Sequence, residues 1–362
     1  MSSKKIAVYS LVLIFCVILL VQCAFIYKRF FAPRWFEETK IITIQSGHSL
    51  KDIADHLYQD KVISSPLFFR IYAYASGKGS KIQAGEFEVK GFVDPSQLIT
   101  LLTSAKAKNY ALTFVEGTTF NDLLKQVLSD PKLDKTLVNV PREHILEKVI
   151  EEEIKFIEMM KLSKGVIEEG GEIIINPAFN WRVMTEPEGL FFPDTYYFTA
   201  GMRDIDILQK AFHKMILLIE AQWLKRAQSL PYASPYHALI MASIIEKETG
   251  LAEERAQIAG VFIRRLNKGM KLQTDPTVIY GVGDKFNGNL TREHLRTPTP
   301  FNTYVIEGLP PTPIALIGKA AFVAALHPQL GEAIFFVSRG DGSHYFSKTL
   351  SEHERAIKLY QK

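Results

Sequence analysis

Beyond one N-terminal apolar run the chain has no cysteine; its two, Cys16 and Cys23, both lie inside that run. Disulfides and thiolate catalysis are therefore excluded for the rest. The zinc-finger spacing and arginine-rich arm of nucleic-acid readers are missing too. There is no G-x-S-x-G elbow, no H-E-x-x-H pair and no phosphate loop of the Walker or dinucleotide type. Serine-hydrolase, zinc-peptidase and nucleotide chemistry find no footing, and no metal or cofactor is implied. An excess of charge is also lacking: 43 Lys and Arg against 39 Asp and Glu leave +4. That suits an anionic membrane or polymer and does not point to nucleic acid.

What is there begins at the N-terminus. Ile6 to Tyr27 is apolar apart from Gln22, long enough to span a bilayer, and flanked by Lys4, Lys5, Lys28, Arg29 and Arg34. Bulky residues around the possible cleavage sites argue for an uncleaved anchor over a signal peptide. Residues 1–5 then form a short cytoplasmic tail, 6–27 a single transmembrane helix in the inner (plasma) membrane, and the chain after about residue 30 lies outside. The 362 residues leave room for two or three domains.

A weak internal repeat follows. Ile42–Ile53 parallels Leu112–Leu123: each reads as a short strand, a turn at Gly47 or Gly117, and a helix opened by Ser49 or Thr119. The first copy continues through helices at Ser49–Tyr58 and Ser65–Ala75, a strand at Gly85–Lys90 and a helix at Pro95–Ser104. This α+β unit, residues 40–105, looks like a LysM-type module, which implies N-acetylglucosamine binding or a scaffold that has lost it. Residues 106–183 read as the second repeat-like segment and a connector. Its helix over Glu143–Lys161 carries Glu151, Glu152 and Glu153, expected on a solvated face, and Gly170-Gly171 breaks the pattern before Glu172–Ile175. From 184 to 362, helices are expected at Asp204–Ser229, Pro235–Glu248, Glu253–Lys268, Thr291–Leu295 and Gly318–Ala325. Strands are expected at Ala333–Ser338 and His344–Phe346.

One helix concentrates the chemical interest. In Ala238 to Gly250, Met241, Ile244 and Ile245 share a face with Glu248, whereas Glu246 points about 200° away. A carboxyl on an apolar stripe is pushed toward its neutral form and can hold a proton for general-acid work. The plainer alternative is a structural glutamate paired with Arg255, Arg264 or Arg265.

The segment Ile244-Ile245-Glu246-Lys247-Glu248-Thr249-Gly250 resembles the catalytic helix of lytic transglycosylases. The C-terminal half resembles the endolytic transglycosylases of the MltG (YceG-like) family through blocks in family order. These are Glu188-Gly189-Leu190-Phe191-Phe192-Pro193-Asp194-Thr195-Tyr196, Ala242–Glu248, Val261–Leu266, Gly269–Tyr280, Asn302-Thr303-Tyr304, Gly308–Ile314, Ala325-Leu326-His327-Pro328 and Phe335-Phe336-Val337 with Gly342–Phe346. Arg264, Phe301, Thr312 and Leu316-Ile317 depart from the family pattern. The fold so implied is α+β: a transmembrane helix, a LysM-like module and a mixed α+β catalytic domain built on a lytic-transglycosylase-like helix.

The resemblance implies cleavage of the bond between N-acetylmuramic acid and N-acetylglucosamine in peptidoglycan strands, leaving 1,6-anhydro ends, with Glu248 as acid and then base. A water-using muramidase would need a second carboxylate, and Asp194, Glu188 and Asp275 are on hand. A non-catalytic, wall-binding scaffold that recruits peptidoglycan synthases is the other class. Candidate substrate-binding residues are Glu188, Tyr196, Arg265, Gln273, Thr274, Asp275, Asn302 and Tyr304. Most have a plain structural counterpart: a turn at Pro193-Asp194, an Asx-type cap at Asp275, a salt bridge for Arg265. His344 is a sugar contact or a satisfied structural histidine. The expected partners are glycan strands and the membrane.

Overall fold

The computed structural model describes residues 3–30, 33–45, 47–104, 107–163 and 179–361; the expected break at Gly170-Gly171 and the segment after it lie outside them. The chain divides into two compact units. One comprises Met1–Ala111, Pro131–Asp134 and Tyr197–Arg203; the other comprises Leu112–Asp130, Lys135–Tyr196 and Asp204–Lys362.

The first unit opens with helix α1 (Ser3–Phe30). Its window Val12–Arg29, with mean hydropathy 2.0, is long and apolar enough to cross a membrane. Then come β1 (Arg34–Ile44), α2 (Leu50–Gln59), α3 (Pro66–Ala75), β2 (Gly85–Val93), α4 (Pro95–Ser104) and β3 (Asn109–Thr113). β1 and β2 pair antiparallel, with an irregularity between Phe36 and Lys40. Alternation puts Ile42, Ile44, Phe87 and Val89 on one face. They share a buried core with Leu57, Phe69, Leu98 and Leu102 from the helices.

The two repeat copies adopt the same local structure. Gly47 and Gly117 take left-handed φ of 83° and 77°, a conformation glycine enters without a Cβ penalty. Ser49 and Thr119 then close reciprocal capping boxes with Asp52 and Asp122.

The second unit contains α5 (Phe120–Ser129), α6 (Arg142–Ser163), α7 (Asp204–Trp223), α8 (Pro235–Glu248), α9 (Arg255–Asn267), α10 (Asp275–Val282), α11 (Arg292–Arg296), α12 (Lys319–Leu326), β5 (Phe335–Ser338), β6 (His344–Ser347) and α13 (Leu350–Tyr360); β4 (Thr195–Thr199), like β3, has residues in both units. α8 starts at Ser234-Pro235, where proline's missing N–H costs nothing. From Ala238 to Ile245 it is buried on every side, packed by α9, α10 and α12. Such a helix is a core element rather than a surface one.

Several expectations are corrected. Glu153 is buried, because the 100° step per residue turns it away from exposed Glu151 and onto α7. There it accepts from Gln209 at 2.5 Å and meets His213 Nδ1 at 2.6 Å. α7 ends at Trp223 rather than Ser229, and the chain turns through Lys225 and Arg226. The stretch from Gln273 to Thr277, where the sequence suggests an Asx-type cap at Asp275, is the entry to α10, with Pro276 in its first turn.

Candidate active site

Glu248 is the last residue of α8. Thr249 adopts an extended conformation (φ −147°, ψ 136°) and stops the helix without a left-handed glycine. The carboxyl is therefore delivered at the rim of the core, partly buried. Opposite it sits the entry to α10. Thr274 Oγ1 donates to Glu248 Oε1.

Thr274 is itself fixed by a buried threonine cluster. Its N–H donates to Thr303 Oγ1 at 3.1 Å, its carbonyl accepts from Thr277 Oγ1 at 2.8 Å, and the Thr277 and Thr303 hydroxyls lie 2.8 Å apart. Gln273, just before, sits at φ 52°, a strained position for a side-chain-bearing residue. Its N–H donates to Thr303 O at 3.1 Å, and its Oε1 accepts from Arg265 at 3.2 Å.

Arg265 does not pair with Glu248. Its guanidinium donates to the carbonyls of Lys271, Leu272 and Ile334 at 3.1, 2.9 and 2.7 Å and lies over the Phe335 ring. It is a clamp on the two backbones that flank the cleft. The arginine-paired carboxylate of this helix is Glu246, 3.6 Å from Arg255 and accepting from the Gly318 N–H at 2.9 Å. The helical phase thus separates two roles: Glu246 ties α8 to α9 and α12, while Glu248 forms no ion pair among the described residues.

A cavity of about 520 Å³ opens here, lined by Glu248, Arg265, Gln273, Thr274, Asp275, Tyr304 and His344 among others. This volume lies in the range of small-ligand sites. Asp275 accepts from Tyr304 OH at 2.6 Å. His344 is held at both ends by Glu254: Nδ1 lies 2.7 Å from Oε2, and the backbone N–H donates to Oε1 at 2.9 Å. Burial pushes the Glu248 carboxyl up to about 7, against the pull of the Thr274 hydroxyl; Asp275 adds to the rise and His344 opposes it. At neutral pH the group is poised between giving and taking a proton.

The profile of the YceG-like family matches residues 42–359. The chain belongs to the YceG-like family.

Among its relatives is a Bacillus subtilis protein named endolytic murein transglycosylase, 32% identical over 347 residues, covering 94% of this chain and 91% of that protein. A Streptococcus pneumoniae protein of the same name is 23% identical over 87% of this chain, which spans only 57% of that protein's length. The crystal structure of a YceG-like protein from Listeria monocytogenes is 29% identical, covers 89% of this chain and 100% of its own, and superposes with a TM-score of 0.51.

In this YceG-like chain, seven of the residues singled out in the sequence meet at one cavity: Glu248, Arg265, Gln273, Thr274, Asp275, Tyr304 and His344. Glu188, Tyr196 and Asn302 lie apart from it. Glu188 is buried between the N–H of Phe120 (2.9 Å) and Tyr280 OH (3.0 Å), and burial pushes its carboxyl up to about 7. Tyr196 donates to Phe192 O at 2.7 Å. Asn302 donates to the carbonyls of His294, Leu295 and Thr297, pinning the end of α11.

The cavity wall also includes Leu350, His353 and Ile357 from α13, an element that sequence reading passed over. Its signal was present: Thr349 and Glu352 form a capping box, an S/T-x-x-E pattern. His353 stacks on Phe335 with centroids 5.0 Å apart.

Proposed function

We propose that this chain is an endolytic murein transglycosylase that cleaves the N-acetylmuramic acid to N-acetylglucosamine bond, with Glu248 as its acid and base. The observation that carries the reading is a glutamate at a cleft with a raised proton affinity and no cationic partner among the described residues. With Oε1 held by Thr274, Oε2 is the oxygen left to face substrate. Protonated Glu248 gives its proton to the leaving glycosidic oxygen as the bond to the anomeric carbon breaks. The resulting carboxylate takes the proton of the muramic acid C6 hydroxyl, whose oxygen closes on that carbon. Glu248 ends protonated, as it began. A tethered hydroxyl outcompetes water by proximity, with effective molarities on the order of 10⁵ M or more.

Arg265, Gln273, Asp275 and Tyr304 shape the groove that positions the sugars, and His344 completes its far wall. Glu188, Tyr196 and Asn302 serve the scaffold that carries these groups. The α1 segment anchors the chain in the membrane with the remainder outside. Residues 40–105 form the LysM-like module, set beside nascent strands and the synthases that make them.

A water-using muramidase is the second reading. It is favoured by one observation, that Asp275 lines the same cavity as Glu248. Digestion of purified peptidoglycan, followed by mass spectrometry of the products, separates the possibilities. The wild-type chain is expected to yield anhydro-ended fragments, with Glu248→Gln lowering the rate at least about a thousandfold. Reducing ends without anhydro rings would establish the muramidase. No product above the Glu248→Gln control would leave only a binding scaffold.

A further inference from the structure

Trp35 and Phe92 are both large, aromatic and mostly exposed, at 60% and 67%. They are cross-strand partners in the β1–β2 ribbon, with ring centroids 4.7 Å apart. An aromatic pair built outward from a sheet end exposes apolar surface that must find an occupant.

The chain itself limits where that occupant lies. The stretch of α1 apolar enough to cross a membrane ends at Arg29. Six residues on comes Trp35, so the indole lies within about 20 Å of the helix end even if the backbone between is fully extended. The charges nearest the pair in sequence are mainly basic: Lys28 and Arg29 close the helix, Arg34 adjoins Trp35, and Lys90 lies two residues before Phe92, against Asp94 two residues after it. The nearest acids of β1, Glu37 and Glu38, fall in the irregular stretch between Phe36 and Lys40. Aromatic rings with cations at a membrane helix end match the chemistry of the headgroup layer.

We propose that the Trp35–Phe92 pair is seated in the headgroup layer of the bilayer that α1 enters, so that the ribbon rests on the membrane instead of hanging from a free tether. The occupant is lipid, and the inference rests on reading α1 as a membrane anchor. The test uses the full chain in vesicles of phosphatidylcholine and phosphatidylglycerol. Of the three tryptophans, Trp35 is isolated as the difference between wild type and Trp35→Phe, a change at an exposed site that leaves the core alone. Lipids brominated near the headgroup are expected to quench that difference signal by about twofold or more, and aqueous iodide only slightly. Strong iodide quenching with no effect of brominated lipid, in vesicles that carry the chain, overturns the proposal. So does a Trp35 signal that responds to added glycan fragments and not to lipid. If the chain fails to float with vesicles at all, the anchor reading has failed, which is a separate and visible outcome.

Discussion

At the scale of single residues, Glu248 stands between neighbours that pull its proton in opposite directions. The Thr274 hydroxyl favours the carboxylate, while burial and Asp275 favour the acid. Hydrogen bonds to a charged group are worth roughly 1.5–3 kcal/mol, and one pH unit corresponds to about 1.4 kcal/mol. Thr274→Val keeps the shape and deletes the donor, so the Glu248 pKa rises further. Because the acid form starts the proposed reaction, activity should fall as pH rises through about 7 in the wild type. In Thr274→Val that falling limb should move upward by about one pH unit, read from initial rates of anhydro-product formation against pH. A limb that stays put or moves down would show that Thr274 does not act on the carboxyl. The opposition of Glu248 and Glu246 was legible from the 3.6-residue period alone. Thr274 as a partner was not, since it lies 26 positions away in the chain and only the packing of α10 on α8 brings it there.

At the scale of elements, α9 shows how close approach overrides propensity. Gly260 lies mid-helix, where alanine would gain about 1 kcal/mol of intrinsic helix propensity. A Cβ there would lie 2.3 Å from the Gln329 carbonyl oxygen and 2.8 Å from Arg264 Nη1. The carbonyl cannot easily yield. Gln329 N–H donates to Ala256 O at 2.8 Å, and Arg264 holds Ala333 O at 2.6 Å. Overpacking of this kind costs about 1–3 kcal/mol, so the clash outweighs the propensity. Gly260→Ala is expected to lower the Tm by a few degrees in thermal unfolding; an unchanged or raised Tm would mean the loop moves freely. The same distinction explains which elements could be read in advance. α2, α5 and α8 were legible because caps, proline and apolar period agree locally. The burial of Glu153 and the α13 wall of the cleft were not, because α7 and α13 decide them from far along the chain.

At the scale of the whole molecule, the buried acids set a pH window for stability. Burial raises Glu188 and Glu248 from 4.5 to about 7, and raises Glu220 and Glu246 as well. The folded state therefore holds protons that the unfolded chain releases above about 4.5, so stability falls as pH climbs from there through 7. For Glu188 and Glu248 the loss is on the order of 3 kcal/mol each. His213, raised by Glu153, adds to the trend: its contribution is complete below 6.5 and is lost as pH passes its folded value. His353, lowered by burial, works against it, but one histidine is set against two carboxyls raised to about 7. Asp52, Glu86 and Asp194 are lowered by their partners, and stability from these is lost only as pH falls below the ordinary carboxylate range. The chain should thus be most stable near pH 5, with a Tm that declines toward pH 8. Glu248→Gln carries a permanent stand-in for the protonated acid. It should match the wild type at pH 5 and exceed it at pH 8, with a smaller decline that persists because Glu188, Glu220, Glu246 and His213 remain. Tm values for both chains at the two pH values are enough to decide. If the variant is equally destabilised at both, the carboxyl at the cleft is not the strained group that its burial makes it, and the acid in the proposed reaction would need another source for its proton.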